Sequence, residues 1–580
     1  MDSQSSGGAF KRKKKRMSTY QQAMKFSKRG KFGHGFQIED EDFHYFLTIL
    51  KISKGILEND ADDDKCRFVN TVFKQLHGKE VNYCSNQVVS RVVEDLLPMA
   101  SDHTVLNLIT HFESDLRPVC RDQFASHVLQ QLLHVAIYRA YKVTEDISET
   151  TKENYFNFIN KLCKFILNNM EEFVWHTYAN HIVRSCIACL CGQPYLCSKT
   201  SQQKGENIDT NKEHKDLLKK YADCIVNIQQ FSEMPTTDIT SGLLQVLLKS
   251  ISPVSKKRFK ALVEKIMSGC FPISESTASD YISQVFEDNS CSRLLDVIIS
   301  ESSEKLNKLL YEKYFNDKLA DLTVHHNGNF TIQKILSTTA DATEFETIFD
   351  QLKEKMPQII DLGYTGVLLE LSNACLRLKC KQALFFKTLC ESLKCKEETE
   401  DGVTVLLLLG LKVADNFDNL CKEPSINIHG SMIVQNILKF NKPIKMVNNL
   451  NNLDTERLVY LLCEVKGSYI GNAYFESAFI GERSREKMIW KLKDYYTTLA
   501  KSKSGSRAFD CIWKVADTKQ RTMIMTEFLK HESELTSTQF GSIIASKLNL
   551  GVFRHKRDEW IKADQDKLQT AKVFEINKYC

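Results

Sequence analysis

Eleven short segments of this 580-residue chain share one pattern: a small or amide residue, a ring or long side chain, two aliphatics, a polar residue, then more aliphatics. The plainest copies are SHVLQ (Ser126 to Gln130), NHIVR (Asn180 to Arg184), NFTIQ (Asn329 to Gln333), SMIVQ (Ser431 to Gln435) and SRAFD (Ser506 to Asp510). Weaker copies are NQVVS from Asn86, SGLLQ from Ser241, SRLLD from Ser292, TGVLL from Thr365, NAYFE from Asn472 and GSIIA from Gly541. Successive starts lie 40, 54, 61, 51, 37, 36, 66, 41, 34 and 35 residues apart. Six of these steps are close to the unit length of helical repeats, so the chain reads as a stacked array whose long steps carry insertions.

On a helix, the third, fourth, seventh and eighth residues of such a segment form one apolar stripe, while the first, second and fifth share another side. In Ser126 to Leu133 the stripe is Val128, Leu129, Leu132 and Leu133, which leaves Ser126, His127 and Gln130 expected to point out of the stack. Two hydrogen-bonding side chains beside one flat or alkyl side chain suit a splayed single-stranded RNA base, whose edge needs donors and acceptors and whose face needs a stacking surface. The candidate RNA-binding residues are therefore Asn86, Gln87 and Ser90; Ser126, His127 and Gln130; Asn180, His181 and Arg184; Ser241 and Gln245; and Ser292 and Arg293. The set continues with Asn329, Phe330 and Gln333; Ser431, Met432 and Gln435; Asn472; and Ser506 and Arg507. Thr365 with Leu369, and Gly541 with Ala545, have little or no polar reach. Arg184 is better suited to gripping a phosphate or stacking than to reading a base edge. Arg91, Arg121, Lys334, Arg507 and Lys547, on or beside the same helices, are further candidates for phosphate contact.

With these segments in series, the chain resembles the Pumilio (PUF) repeat proteins from about Glu39 to about Leu550. NHIVR followed by SCIACLCG resembles the nucleolar Pumilio-like family known as nucleolar protein nine. The resemblance implies a curved all-α solenoid of about eleven Pumilio-like repeats with capping helices. It also implies base-edge contacts from the first and fifth positions and stacking from the second. Carried over residue by residue, Asn329 and Gln333 with Phe330 resemble a uracil reader. Ser126 and Gln130 with His127, Ser241 and Gln245 without a stacker at Gly242, and Ser431 and Gln435 with Met432 resemble adenine readers. The resemblance further implies a nucleolar ribosome-biogenesis factor that binds single-stranded or partly structured RNA, namely precursor rRNA, beside pre-ribosomal particle proteins and supports small-subunit rRNA maturation.

Composition agrees with an all-helical body. Only 9 Pro and 23 Gly occur in 580 residues, and 42% of the chain is hydrophobic, so helix breakers are few and core formers ample. No run approaches the roughly 18 uncharged apolar residues of a membrane span, and MDSQSSGGAF followed by KRKKKR lacks the apolar core of a secretory signal. The expectation is a nuclear or nucleolar monomer without membrane contact. The 19 cysteines then behave as small buried hydrophobes. Cys186 and Cys189 form a CxxC with no second well-spaced ligand pair, which points to packing and to no metal or other cofactor.

Charge divides the chain unevenly. Residues 1–36 hold ten Lys or Arg and one acid, Asp2, whereas the remainder holds 68 basic and 72 acidic residues. Such a block is expected to be a disordered basic tail over 1–36, readable as a nuclear address, an RNA-holding arm or a solubilising segment. The solenoid is expected over 37–556, opened by a capping helix in Phe36 to Ile52, with a terminal cap and tail over 557–580. Asp60 to Lys65 (DADDDK) reads as a loop or polar helix start, and Thr144 to Asn154 and Cys191 to Lys215 as surface loops. Asp401 to Val413 is apolar enough for a buried helix and leaves open a further, degenerate repeat.

HExxH, GxxxxGK[ST], GxSxG and a GxGxxG after a strand do not occur in usable context, so no catalytic residue is expected. The competing class is a protein-binding scaffold or transport factor of the HEAT or armadillo kind. Such a solenoid has no reason to place edge-bonding pairs beside His, Phe, Met or Arg at one fixed helical address.

Overall fold

The computed structural model describes residues 18–27, 32–59, 62–141, 147–194, 207–270, 286, 288–395, 402–416 and 423–576. Among these residues the regular structure is helical, and the one β-bridge pairs Gly35 with Asn86. The chain divides into two compact units, Met1–Glu301 and Ser302–Cys580.

Eleven helices carry the repeated segments. In the first unit they are α1 (Gln87–Leu96), α2 (Ala125–Tyr141), α3 (Ala179–Leu190), α4 (Asp238–Ile251) and α5 (Asn289–Glu301). In the second they are α6 (Gly328–Thr338), α7 (Thr365–Leu378), α8 (Ile428–Leu438), α9 (Ser468–Glu476), α10 (Gly505–Val515) and α11 (Gln539–Lys547). Within each unit, every one of these helices packs against the next. The expected stripe supplies that packing: Val128, Leu129, Leu132 and Leu133 of α2 are all buried, as are Ile433, Val434, Ile437 and Leu438 of α8. Each such side chain contributes about 1.5–3 kcal/mol of burial, which outweighs the weak intrinsic stability of an isolated helix this short.

A short helix precedes most of these and a further helix follows, giving a three-helix repeat. Leu116–Arg121 and Glu149–Asn168 flank α2, and Thr455–Cys463 and Glu482–Lys491 flank α9. The apolar stretch after Asp401 forms Val403–Gly410, which packs on α8 and on Ile444–Asn452. It is thus the short first helix of the Ser431 repeat, buried on every side by Thr404 to Leu409, and not an additional reading helix.

Several expectations are corrected at element ends. Thr19–Ser27, placed by composition in a disordered tail, is a helix packed on Asp40–Asn59 and α1, with Ala23 buried. An apolar contact at one face outweighs the local positive charge. The block at 11–16 lies outside the described residues. The capping helix begins at Asp40, after Phe36, because Asp40, Glu41 and Asp42 suit the positive end of a helix. The expected loop from Thr144 becomes helix at Glu149, where Ser148 accepts from the Thr151 N–H and Tyr155, Phe158 and Ile159 supply a buried face. From Cys191 to Lys215, residues 195–206 lie outside the described set, and Asn211 caps a helix from Lys212. In DADDDK, a helix runs from Asp62. The terminal helix Arg557–Ile576 is anchored by Trp560, whose Nε1 donates to the Leu548 carbonyl at 2.9 Å.

Cys186 and Cys189 are buried, and burial beside Cys163 pushes the Cys186 thiol upward. No helix among the described residues is long and apolar enough to cross a membrane.

Candidate nucleic-acid interface

The start of most reading helices is set by the residue four positions before the repeat's first residue; α1, α4 and α7 lack that side-chain cap. Asp122 Oδ1 accepts from the N–H groups of Phe124 and Ala125 at 2.8 and 2.7 Å, Asn427 Oδ1 from His429, and Asp288 Oδ1 from Ser290 at 2.6 Å. Two histidines do the same with an unprotonated ring nitrogen. His176 Nδ1 accepts from Tyr178 and Ala179, and His325 Nδ1 from Asn327 and Gly328. Burial, and after it the charge of Arg121, lowers the proton affinity of His176 and so favours the acceptor state. Such caps each stabilise a helix start by about 1 kcal/mol.

This cap corrects two registers. Glu464 accepts from Lys466 and Gly467, and Thr538 from Gly541, so the first positions of α9 and α11 are Ser468 and Ser542. Asn472 is therefore a fifth-position residue, half-buried and accepting from the Cys511 thiol at 3.3 Å. Tyr469, 46% exposed, holds the second position there, and Ile543, 55% exposed, holds it in α11. The cap followed three residues later by a small residue is the sequence signal that identifies both.

Most first positions do not face outward, although Ser542 is exposed and Thr365 and Ser506 are half-buried. Asn86, Ser126, Asn180, Ser241, Ser292, Asn329 and Ser431 are all buried, because they lie where adjacent repeats close on each other. Their polar atoms serve the backbone: Asn180 Nδ2 donates to the Val174 carbonyl at 2.6 Å, Ser241 Oγ to Ser290 at 2.8 Å, and Ser431 Oγ to Lys466 at 2.6 Å. Asn329 Nδ2 donates to the carbonyls of His325 and His326 at 3.1 and 2.7 Å.

They also hold the fifth residue. Gln245 Nε2 donates to Ser241 Oγ at 3.2 Å, Gln333 Nε2 to Asn329 Oδ1 at 3.0 Å, Gln435 Nε2 to Ser431 Oγ at 3.1 Å, and Arg184 Nε to Asn180 Oδ1 at 2.7 Å. Each half-buried glutamine keeps its Oε1 and a second N–H for another partner. Gln130 is held differently, donating to Ser185 Oγ of the next repeat at 3.2 Å. His127, half-buried, lies 3.4 Å from its Oε1.

The second positions are the outward ones. Phe330 is 54% and Met432 41% exposed, and His181, Arg293 and Arg507 are exposed as well. Arg507 Nη1 reaches the Tyr469 hydroxyl at 3.2 Å, and half-buried Ser506 donates to the Lys503 carbonyl. Two repeats have glycine here, and in both the preceding repeat's fifth residue fills the space: Arg184 over Gly242, and Gln333 over Gly366. Exposed flat or alkyl groups such as His181, Phe330 and Met432 therefore share their helices with the tethered Arg184, Gln333 and Gln435.

The first repeat departs from this arrangement. Asn86 Oδ1 accepts from the Val88 N–H, while its Nδ2 donates to the carbonyls of Phe32 and Phe36 at 3.1 and 2.8 Å. Gln87 bonds Gln22 at 3.2 Å, and Ser90 is buried against the Gln87 carbonyl. At Gly35, with φ +91°, an added Cβ would come within 2.3 Å of the Ser85 carbonyl, so only glycine passes. Gln22, Phe32, Gly35 and Phe36 thus engage this triplet.

Of the candidate phosphate contacts, Arg91 pairs with Glu94 and Asp95, Arg121 with Glu172, and Lys547 with Asp510. Lys334 is exposed. Such surface pairs are worth at most about 1 kcal/mol and exchange readily for a phosphate.

A family model described as NOP9-like PUF repeat domain matches residues 78–543. Nucleolar protein 9 of Mus musculus is 22% identical, with 89% of this chain and 87% of that protein covered. Pumilio homolog 23 of Arabidopsis thaliana is 21% identical over 94% of this chain and 75% of its own. The solved structure of APUM23-GGAUUUGACGG superposes with a TM-score of 0.74 at 19% identity, covering 91% of this chain and 100% of that one, and shares the fold. The chain belongs to the NOP9-like PUF repeat family and is an RNA-binding PUF protein of the nucleolus.

Proposed function

We propose that the second- and fifth-position side chains receive successive bases of single-stranded RNA, that this RNA is precursor rRNA, and that its binding supports small-subunit rRNA maturation without catalysis by this chain. The observation that carries the reading is the tether from the first to the fifth residue. It fixes Gln245, Gln333 and Gln435 in the orientation a base edge needs, beside exposed Phe330 and Met432 in two of the three repeats. Base-edge contact then falls chiefly to the fifth residue, with the buried first residue as its support. Tyr469 and Ile543 join the stacking positions, and Asn86, Gln87 and Ser90 leave the set. The GGAUUUGACGG partner of APUM23 supports a single-stranded target, and the name of the relatives supports a nucleolar one, where precursor rRNA is made and trimmed.

Titration of the full chain with labelled single-stranded RNA at several salt concentrations tests the first part. Affinity is expected to fall as salt rises. Crosslinking in cells followed by sequencing tests the second. Enrichment over precursor rRNA is expected, and crosslinks spread evenly over messenger RNAs overturn the assignment.

A further inference from the structure

A second charged feature lies within Ser302–Cys580 and includes none of the second- or fifth-position residues. Helices Gln382–Ser392 and Ile444–Asn452, which follow α7 and α8, enclose an open groove of about 880 Å³. Five lysines line it, Lys379, Lys381, Lys387, Lys442 and Lys445, with no acidic residue among the lining. Outside its first 36 residues the chain carries more acid than base, so this concentration is local. Lys381 is drawn aside to Asp350 and Glu346, at 3.3 and 3.8 Å, and Lys387 is paired with Glu391. Lys379, Lys442 and Lys445 are exposed and form no ion pair among the described residues.

Two further observations bear on what binds here. Lys379 and Lys381 both have left-handed backbone, with φ of +55° and +53°, although glycine or asparagine would take that conformation at lower cost. Strain retained at a charged rim is typical of a functional surface. The floor is apolar and mostly aliphatic: Leu384 and Met446 contribute beside Phe386 and Phe440, and Ile444 is 58% exposed. An RNA strand would satisfy the lysines and leave most of that floor wet, since the two rings that line it, Phe386 and Phe440, are half-buried and buried, not exposed as Phe330 is. An acidic peptide bearing aliphatic side chains satisfies both rim and floor.

We propose that this groove docks an acidic, aliphatic-containing segment of a protein partner, so that the chain holds RNA on its reading helices and a protein on the helices that follow them. The test is fluorescence anisotropy of the full chain with a labelled twelve-residue Asp/Glu peptide carrying two leucines, beside the same peptide with both leucines replaced by serine. The leucine peptide is expected to bind, with about tenfold or greater weakening for the triple variant Lys379→Glu, Lys442→Glu, Lys445→Glu and a smaller loss for Ile444→Ser. Single-stranded RNA affinity of the same variants is expected to stay within about twofold, which also verifies that they are folded. Equal binding by wild type and triple variant overturns the proposal. So does absence of peptide binding, or loss of RNA affinity in its place, which reassigns the lysines to phosphate.

Discussion

Arg184 and Gly242 belong to consecutive repeats and share one space: a Cβ added to Gly242 would lie 2.9 Å from the Arg184 guanidinium carbon. The guanidinium is held there by Asn180 Oδ1 and by the Ile239 carbonyl of the next repeat. Missing bulk at a second position is thus replaced by a charged plane from the repeat before it. Gly242→Ala is expected to push that flexible end aside with a stability change within about 0.5 kcal/mol. RNA affinity is expected to weaken by about 0.5–1.5 kcal/mol as the cation loses its place. Thermal melting and RNA titration of the same preparation separate the two effects, and unchanged affinity would remove Arg184 from the interface.

Asn329 and Phe330 are neighbours with opposite duties. Asn329 satisfies two carbonyls and holds Gln333, so Asn329→Ala leaves buried acceptors unpaired and is expected to cost about 1–3 kcal/mol of stability. Phe330 is exposed, and Phe330→Ala is expected to leave melting unchanged while weakening RNA binding by about 1–3 kcal/mol. Denaturant unfolding and anisotropy should therefore rank the two variants in reverse order.

The apolar face of the repeats was legible because each stripe position is decided by the helical period alone. Val128 and Leu132 had to be inside whatever their neighbours were. The direction of Ser126, Asn180 or Ser431 was not, since the first position sits at the edge of that stripe and its burial depends on how closely the next repeat approaches. A short polar side chain can be satisfied there by a backbone carbonyl of that repeat, as Ser431 is by Lys466, and the carbonyl belongs to a residue 35 positions away. The N-terminal cover over Asn86 was hidden for a related reason. Its anchoring bonds come from the carbonyls of Phe32 and Phe36, which leave no side-chain signature. The caps were legible in principle, because Asp122, Asp288, Asn427 and Thr538 are ordinary capping types at a constant offset. His176 and His325 obscure that series until their unprotonated nitrogens are seen accepting from the backbone.

His134 on α2 gives the chain an acid-sensitive element. Part of the residue reaches the surface, yet its Nε2 is enclosed and makes no hydrogen bond among the described residues, and burial lowers its pKa to about 4. The unfolded chain binds the proton more tightly, near 6.5, so neutral His134 contributes stability above that pH. The contribution is expected to decline as pH falls from about 6.5 to about 4, by on the order of 1 kcal/mol per unit. Urea unfolding across that interval, with His134→Gln as the comparison, should show a shallower decline in the variant.

The register of α9 separates two readings of one helix. If Asn472 opened the segment, Ala473 would be the stacking residue and Glu476 the fifth; the cap from Glu464 makes Ser468 the first and Tyr469 the outward ring. Ala473 is buried against the rest of the repeat and has no face to offer, whereas the Tyr469 hydroxyl is already engaged by Arg507 of the next repeat. Ring and guanidinium together form a continuous surface on which a base can lie. Tyr469→Ala is accordingly expected to weaken RNA binding by about 1–3 kcal/mol, with Tyr469→Phe retaining most of it because stacking needs the ring and not the hydroxyl. Glu476→Ala, at an exposed site outside the corrected triplet, is expected to leave affinity unchanged or raise it slightly by removing a negative charge near the strand. Parallel titrations of the three variants decide the register: weakening by Glu476→Ala with none by Tyr469→Ala would restore the frame that starts at Asn472.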